Sequence, residues 1–181
     1  MAQAELLRLN PPVNDAQGID AADVPYRYFT LISPAHRSQN PRWGAAYRLE
    51  PYVMAGDVCS QPPHTGRGGW SWYTGAAAWM HRAAVESIFG LALDAQGLCF
   101  WPALPLHWPQ AQITLRRDGR CMRFTLRRGS EAEALLVAAG GGARLLRVGE
   151  RLAWPALPAD SSFVIPLPNL PATGPGPISA T

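Results

Sequence analysis

The pattern of apolar and polar positions changes its period near residue 92. Upstream, Ala76, Ala77, Met80, Ala84 and Ile88 recur at helical spacing, with His81, Arg82 and Glu86 placed elsewhere on the surface. The spacing predicts a helix opened by Thr74, a natural N-cap, and stopped at Gly90. Tyr26–Ile32, bracketed by Pro25 and Pro34, reads either as a buried helix turn or as a strand, and Ser33-Pro34 ends it in both cases. Downstream the period drops toward two. Leu98–Trp101, Gln112–Leu115, Met122–Leu126, Ala134–Val137, Leu145–Val148 and Phe163–Ile165 read as short strands, with a hairpin turn at Arg117-Asp118-Gly119-Arg120. A helical half followed by a β half is an α+β class, and many short strands with turns between them suggest a β-sandwich. The boundaries expected are 1–91 for the helical part, 92–168 for the β-domain, and 169–181 for a Pro/Gly-rich tail.

Composition narrows the picture. The chain has 181 residues, 48% of them hydrophobic and 16% charged, which suits one domain or the tail of a larger one and excludes disorder throughout. All basic residues are arginine, and the net charge is +3. Arg116, Arg117, Arg120, Arg123, Arg127 and Arg128 cluster around the predicted hairpin, where they read as a solvated face and not as a nucleic-acid surface. The longest apolar run, Ala134–Ala143, contains three glycines and is too short for a membrane segment. Met1-Ala-Gln-Ala-Glu-Leu-Leu-Arg8 has no basic stretch followed by an apolar core, so no signal peptide is expected. Cys59, Cys99 and Cys121 lack CxxC spacing, which argues against a zinc site or a disulfide framework and for a cytoplasmic setting.

Candidate chemistry concentrates between residues 50 and 75. Gly66-Arg67-Gly68-Gly69 is a backbone turn, followed by Trp70-Ser71-Trp72-Tyr73 and the Thr74-Gly75 helix start. A helix start presents unsatisfied N–H groups and the positive dipole end, an arrangement that binds phosphate, or it simply caps a helix over a tryptophan-rich core. Trp70 and Trp72 suit the apolar faces of sugars, or they pack a core. Glu50 and Asp57 either bind hydroxyl groups or are structural acids tied to Arg48 or Arg67. His64, beside the glycine turn, is the one histidine with a candidate binding role; His36, His81 and His107 have no metal-ligand spacing. Neither a GxSxG serine nor a recognisable cysteine nucleophile motif is present, so no metal or catalytic residue is assigned.

Two runs together are specific. Tyr47-Arg-Leu-Glu-Pro-Tyr-Val-Met-Ala-Gly-Asp57 and Gly66-Arg-Gly-Gly-Trp-Ser-Trp-Tyr-Thr-Gly-Ala-Ala-Ala-Trp-Met80 resemble glycoside hydrolase family 94, the inverting β-glucoside phosphorylases. The likeness is greatest to the C-terminal phosphorylase-like region of cyclic β-1,2-glucan synthases. It continues through Val85–Leu91 and Trp101–Pro109, covering roughly residues 28–128.

The resemblance implies an (α/α)6 barrel ending near residue 90, followed by a jelly-roll-like β-domain. It implies Thr74 and Gly75 as phosphate-binding residues, with Glu50 and the Arg67–Trp72 segment lining the same end of the barrel near a β-glucan. The implied reaction is inverting phosphorolysis, with inorganic phosphate as co-substrate and no other cofactor. The family's general-acid aspartate belongs to a Gly-Asp-Trp-Asn-Asp-type motif that these residues do not contain. The expectation is therefore a C-terminal fragment of such an enzyme, inactive alone and needing a complementary N-terminal part or self-association. Its exposed apolar surface is expected around Trp70, Trp72 and Trp79. As part of a larger synthase it would lie at the cytoplasmic face of the inner membrane. The alternative expectation is a non-catalytic glucan-binding or accessory protein.

Overall fold

The computed structural model describes residues 23–168, so the Met1–Arg8 reading and the 169–181 tail lie outside the described residues. The described chain is mixed α and β, with few helices and three small sheets, and its contacts divide into two compact units. The first runs to Pro105 and takes back Arg151–Trp154; the second holds Leu106–Glu150 and the chain from Pro155 onward.

In the first unit, α1 (Asp23–Ile32), α2 (Pro34–Arg37) and α3 (Pro41–Tyr47) come first. The ambiguous Tyr26–Ile32 stretch is thus helical. Asn40 caps α3 by accepting from the Trp43 N–H at 3.0 Å, and Pro41 occupies the position where a missing N–H costs nothing. A short antiparallel pair follows, β1 (Asp57–Val58) with β2 (Gly68–Gly69). The long helix is α4 (Thr74–Arg82), which widens into a π-helical turn over Ala83–Ile88, where the Phe89 N–H reaches back to the Ala84 carbonyl at 2.9 Å. Its inward stripe is Ala76, Met80, Ala83, Ser87 and Ile88. Gly90 stops it as expected: its φ is +70°, and a Cβ there would stand 2.0 Å from the Trp101 carbonyl oxygen.

Thr74 is not the cap. The cap position belongs to Tyr73, which offers no side-chain acceptor, and Thr74 is the first helical residue. A hydrophobic cap is tolerated because Tyr73 is anchored otherwise, its own N–H donating to the Met54 carbonyl at 3.2 Å.

Beyond Gly90, β3 (Leu91–Leu93) and β4 (Gly97–Phe100) form a hairpin. Asp94 holds its turn by accepting from the Gln96 and Gly97 N–H groups at 2.8 and 2.9 Å. The Arg151 guanidinium, with those two N–H groups, keeps the Asp94 carboxyl below the usual carboxylate range.

The second unit is a four-stranded sheet. β5 (Gln110–Arg117) pairs with β6 (Arg120–Arg128) through the expected hairpin, with Asp118 and Gly119 both at positive φ. α5 (Glu131–Gly140) and β7 (Arg144–Leu145) follow, then β8 (Leu152–Ala153), which joins β4 in the first unit, and β9 (Asp160–Leu167). β9 lies parallel to β6 and to β7, giving the order β5-β6-β9-β7. Phe124 and Phe163 stack in the core with centroids 5.0 Å apart.

Two strand expectations are corrected. Ala134–Val137 is helical, because Ser130 and Glu133 form a reciprocal capping box that nucleates α5, and Ala134 and Ala138 then pack on Val164. Leu145–Val148 shortens to Arg144–Leu145, after which the Glu150 N–H closes a turn on the Arg147 carbonyl at 3.0 Å.

Candidate functional site

The β1–β2 pair organises the residues between 50 and 75. The Gly56 N–H donates to the Gly69 and Trp70 carbonyls at 2.9 and 3.1 Å, and the Cys59 N–H to Arg67 at 2.8 Å. Gly68 and Gly69 are required by close approach. A Cβ on Gly68 would lie 2.6 Å from the Leu49 side chain, and one on Gly69 would lie 2.4 Å from the Asp57 carboxylate. Buried Tyr47 also lies against Gly68, and burial pushes its hydroxyl above the ordinary tyrosine range.

The chain then takes an unusual path. Trp70 and Trp72 both have positive φ, 56° and 62°, a conformation that bulky residues rarely adopt. The two indoles stand 79% and 65% exposed, beside Tyr52 at 75%. The Trp72 Nε1–H donates to Glu50 Oε1 at 3.3 Å, and the Tyr52 and Trp72 rings meet edge to face at 6.4 Å. Gly56, Asp57, Trp70 and Tyr73 line an adjoining hollow of about 290 Å³. Among the described residues neither Glu50 nor Asp57 forms an ion pair with Arg48 or Arg67.

The helix start is accessible. Thr74 and Gly75 are exposed, and nothing lies within 4 Å of where a Gly75 Cβ would be. The first intrahelical bond runs from the Ala77 N–H to the Tyr73 carbonyl at 3.1 Å, so the N–H groups of Thr74, Gly75 and Ala76 precede it.

His64 and Arg67 sit elsewhere on the unit. They line a separate hollow of about 350 Å³ with Arg48 and Thr65. The expected residues therefore fall into two groups, with Glu50, Asp57, Trp70 and Trp72 around the aromatic edge and His64 with Arg67 apart from it. Sequence reasoning missed Tyr52 and Tyr73. Their signal was their place inside the two motif runs, alternating with residues that were singled out. The described residues hold no group of three or more His, Cys, Asp or Glu suited to a metal ion, and no helix long and apolar enough to cross a membrane.

An aromatic edge, two carboxylates and an open helix start on one short segment are what sugar and phosphate chemistry would use. Residues 17–90 match the catalytic domain of the glycosyl hydrolase 94 superfamily. Two relatives extend the match. Cyclic beta-(1,2)-glucan synthase NdvB of Rhizobium meliloti is 35% identical over 113 residues, 62% of this chain and 4% of that protein. Cellobionic acid phosphorylase of Neurospora crassa is 32% identical over 94 residues, 45% of this chain and 12% of that protein. The chain thus spans only a small part of the length of these curated relatives.

Proposed function

We propose that this chain supplies one wall of a family 94 site for inverting phosphorolysis of a β-glucan. In this reading, the elements up to Gly90 close an (α/α)6 barrel and the strands beyond it form the family's β-sandwich. Thr74 and Gly75 hold the attacking phosphate through the free N–H groups of the helix start. Glu50 and Asp57 take sugar hydroxyls while Trp70 and Trp72 lie against the ring faces. His64 and Arg67 contribute from their own hollow at the periphery.

Inversion needs an acid at the leaving oxygen and a nucleophile on the opposite face, with phosphate in place of activated water. The Gly-Asp-Trp-Asn-Asp-type motif that carries the family's acid is not among these residues, and in this reading the acid comes from a complementary segment or partner. Alone, the chain binds and does not turn over. The natural setting is the cytoplasm, where phosphate is available and the three free cysteines stay reduced.

The observation that carries the proposal is the pair of exposed tryptophans beside an open helix start. The test is titration of the purified chain with a β-1,2-glucan oligosaccharide, with and without phosphate, for the parent and for Thr74→Ala. Phosphate should tighten glucan binding in the parent and lose that effect in the variant, with no glucose 1-phosphate formed in either. Release of glucose 1-phosphate by the chain alone would sink the proposal. The exposed tryptophans also fit a second reading, a glucan-binding accessory protein. That reading gains if binding ignores both phosphate and Thr74→Ala.

A further inference from the structure

The four-stranded sheet of the second unit ends on two unlike edges. β7 is two residues long, and its Leu145 is packed against α5. β5 is eight residues long and, among the described residues, pairs only with β6. Proteins blunt such an edge with proline, a bulge or an inward-pointing charge. β5 has none of these. Its register with β6 runs unbroken from Gln110–Arg127 to Arg117–Arg120, and its core-facing residues are Ala111, Ile113 and Leu115. Those three are only half-buried, whereas Leu126, Phe124 and Met122 opposite them are fully buried.

The free edge presents a defined set of hydrogen-bonding groups. The Arg128 N–H donates to the Pro109 carbonyl at 2.9 Å. Bonded pairs alternate along an antiparallel ladder, so Ala111, Ile113 and Leu115 turn their amides toward β6, and Gln110, Gln112, Thr114 and Arg116 turn theirs away. This set is self-complementary. Two β5 strands set antiparallel about a two-fold axis at Ile113 bring Gln110 opposite Arg116, and Gln112 opposite Thr114, of the other copy. Every outward amide then meets an outward amide. A shift of two residues in either direction leaves Gln110 or Arg116 without a strand partner, and a shift of one sets core-facing against solvent-facing side chains. On the core face Ile113 meets Ile113 and Ala111 meets Leu115; on the other face no arginine stands opposite another.

We propose that β5 is a docking edge for a second copy of this chain, which joins the two four-stranded sheets into one across a two-fold axis at Ile113. The inference belongs to the second unit alone and does not depend on the role given to Thr74 or to the exposed tryptophans.

Thr114→Pro isolates the edge, because it removes an outward N–H and no bond of the β5–β6 ladder. Sedimentation equilibrium of the full chain over a concentration series should carry the parent toward twice its 19.6 kDa and leave Thr114→Pro at the monomer mass. The register is read separately, at exposed positions and without proline. In a mildly oxidised mixture of Gln112→Cys and Thr114→Cys chains, peptide mapping by mass spectrometry should find a disulfide between positions 112 and 114. Directly opposed residues there lie about 5.5 Å apart, within disulfide reach. Arg116→Cys chains alone should form no link between their 116 positions, which this axis sets about 20 Å apart along the strands.

A parent that stays monomeric, a dimer that survives Thr114→Pro, or a 116–116 link as abundant as the 112–114 link would overturn the proposal. Association through the exposed tryptophans would survive the proline and is one such outcome. If Thr114→Pro does not fold, the parent mass and the two cross-links decide the matter by the same criteria.

Discussion

The segment from Glu50 to Gly75 and the β6–β9 sheet treat their aromatic residues in opposite ways. In the sheet, Phe124 and Phe163 are stacked and buried, held by an eight-residue parallel register and by helix α5 packed on Val164. In the earlier segment, Tyr52, Trp70, Trp72 and Tyr73 are all exposed, and two of them sit on left-handed backbone. Burying an aromatic ring is among the largest favourable terms a small unit can collect. A segment that forgoes it, and takes on backbone strain as well, is specified by something other than the stability of its own fold. One region holds its unit together; the other presents rings outward.

Removing a ring should expose this contrast. Phe124→Ala takes a fully buried ring from the stack, and large-to-small core changes of this kind cost about 3–5 kcal/mol. A urea titration should show a midpoint far below that of the parent for the transition of the second unit. A change below about 1 kcal/mol would mean that the stack is not a core and that the two regions differ less than their exposures indicate.

A smaller effect tests how α5 is started. Ser130 accepts from the Glu133 N–H at 3.2 Å, and Glu133 returns a bond from the Ser130 N–H at 2.8 Å. The Ser130 N–H and hydroxyl, both donating to Glu133 Oε2, hold the Glu133 carboxyl below its ordinary range. Ser130→Ala should cost about 1 kcal/mol, read as a fall in thermal midpoint with the sheet's own signal intact. An unchanged midpoint would show that Ala134 and Ala138 against Val164 suffice to hold the helix.

That helix also shows how far the sequence could be read. Ser130-x-x-Glu133 was visible as a capping box, but Ala134–Val137 is apolar at every position, and such a run has no period to separate strand from helix. The signal that decides lay four residues upstream. Elsewhere local chemistry was sufficient: Asp118-Gly119 makes its hairpin, and Gly90 stops its helix, because each needs only its own backbone. The parallel pairing of β6 with β9 joins residues about 40 apart and leaves no local trace. At the candidate site, the motif runs pointed to Glu50, Trp70, Trp72 and Thr74, and the structure gathers the first three along one edge. The left-handed turns of the two tryptophans were not legible. Tryptophan has no preference for that conformation, so it arises from the short link between β2, which ends at Gly69, and α4, which starts at Thr74.

The smallest expected effect on stability falls at Trp70, and it bears most directly on the comparison. Three terms act when Trp70 becomes glycine. Left-handed backbone costs an L-residue about 1–2 kcal/mol, and glycine escapes that cost. Glycine in turn loses about 0.5–1 kcal/mol through its freer unfolded chain. The indole surrenders little burial, because 79% of the residue is already exposed. The sum is near zero, or a slight gain for Trp70→Gly, where Phe124→Ala would be severe. Glucan binding should meanwhile weaken, since the platform is gone. Equal stability with weaker binding, measured on the same preparation by thermal melting and oligosaccharide titration, would establish that the ring is held outward for a ligand. A marked loss of stability would instead make Trp70 part of a packed surface, and the aromatic edge would have to be read as an interface between polypeptides.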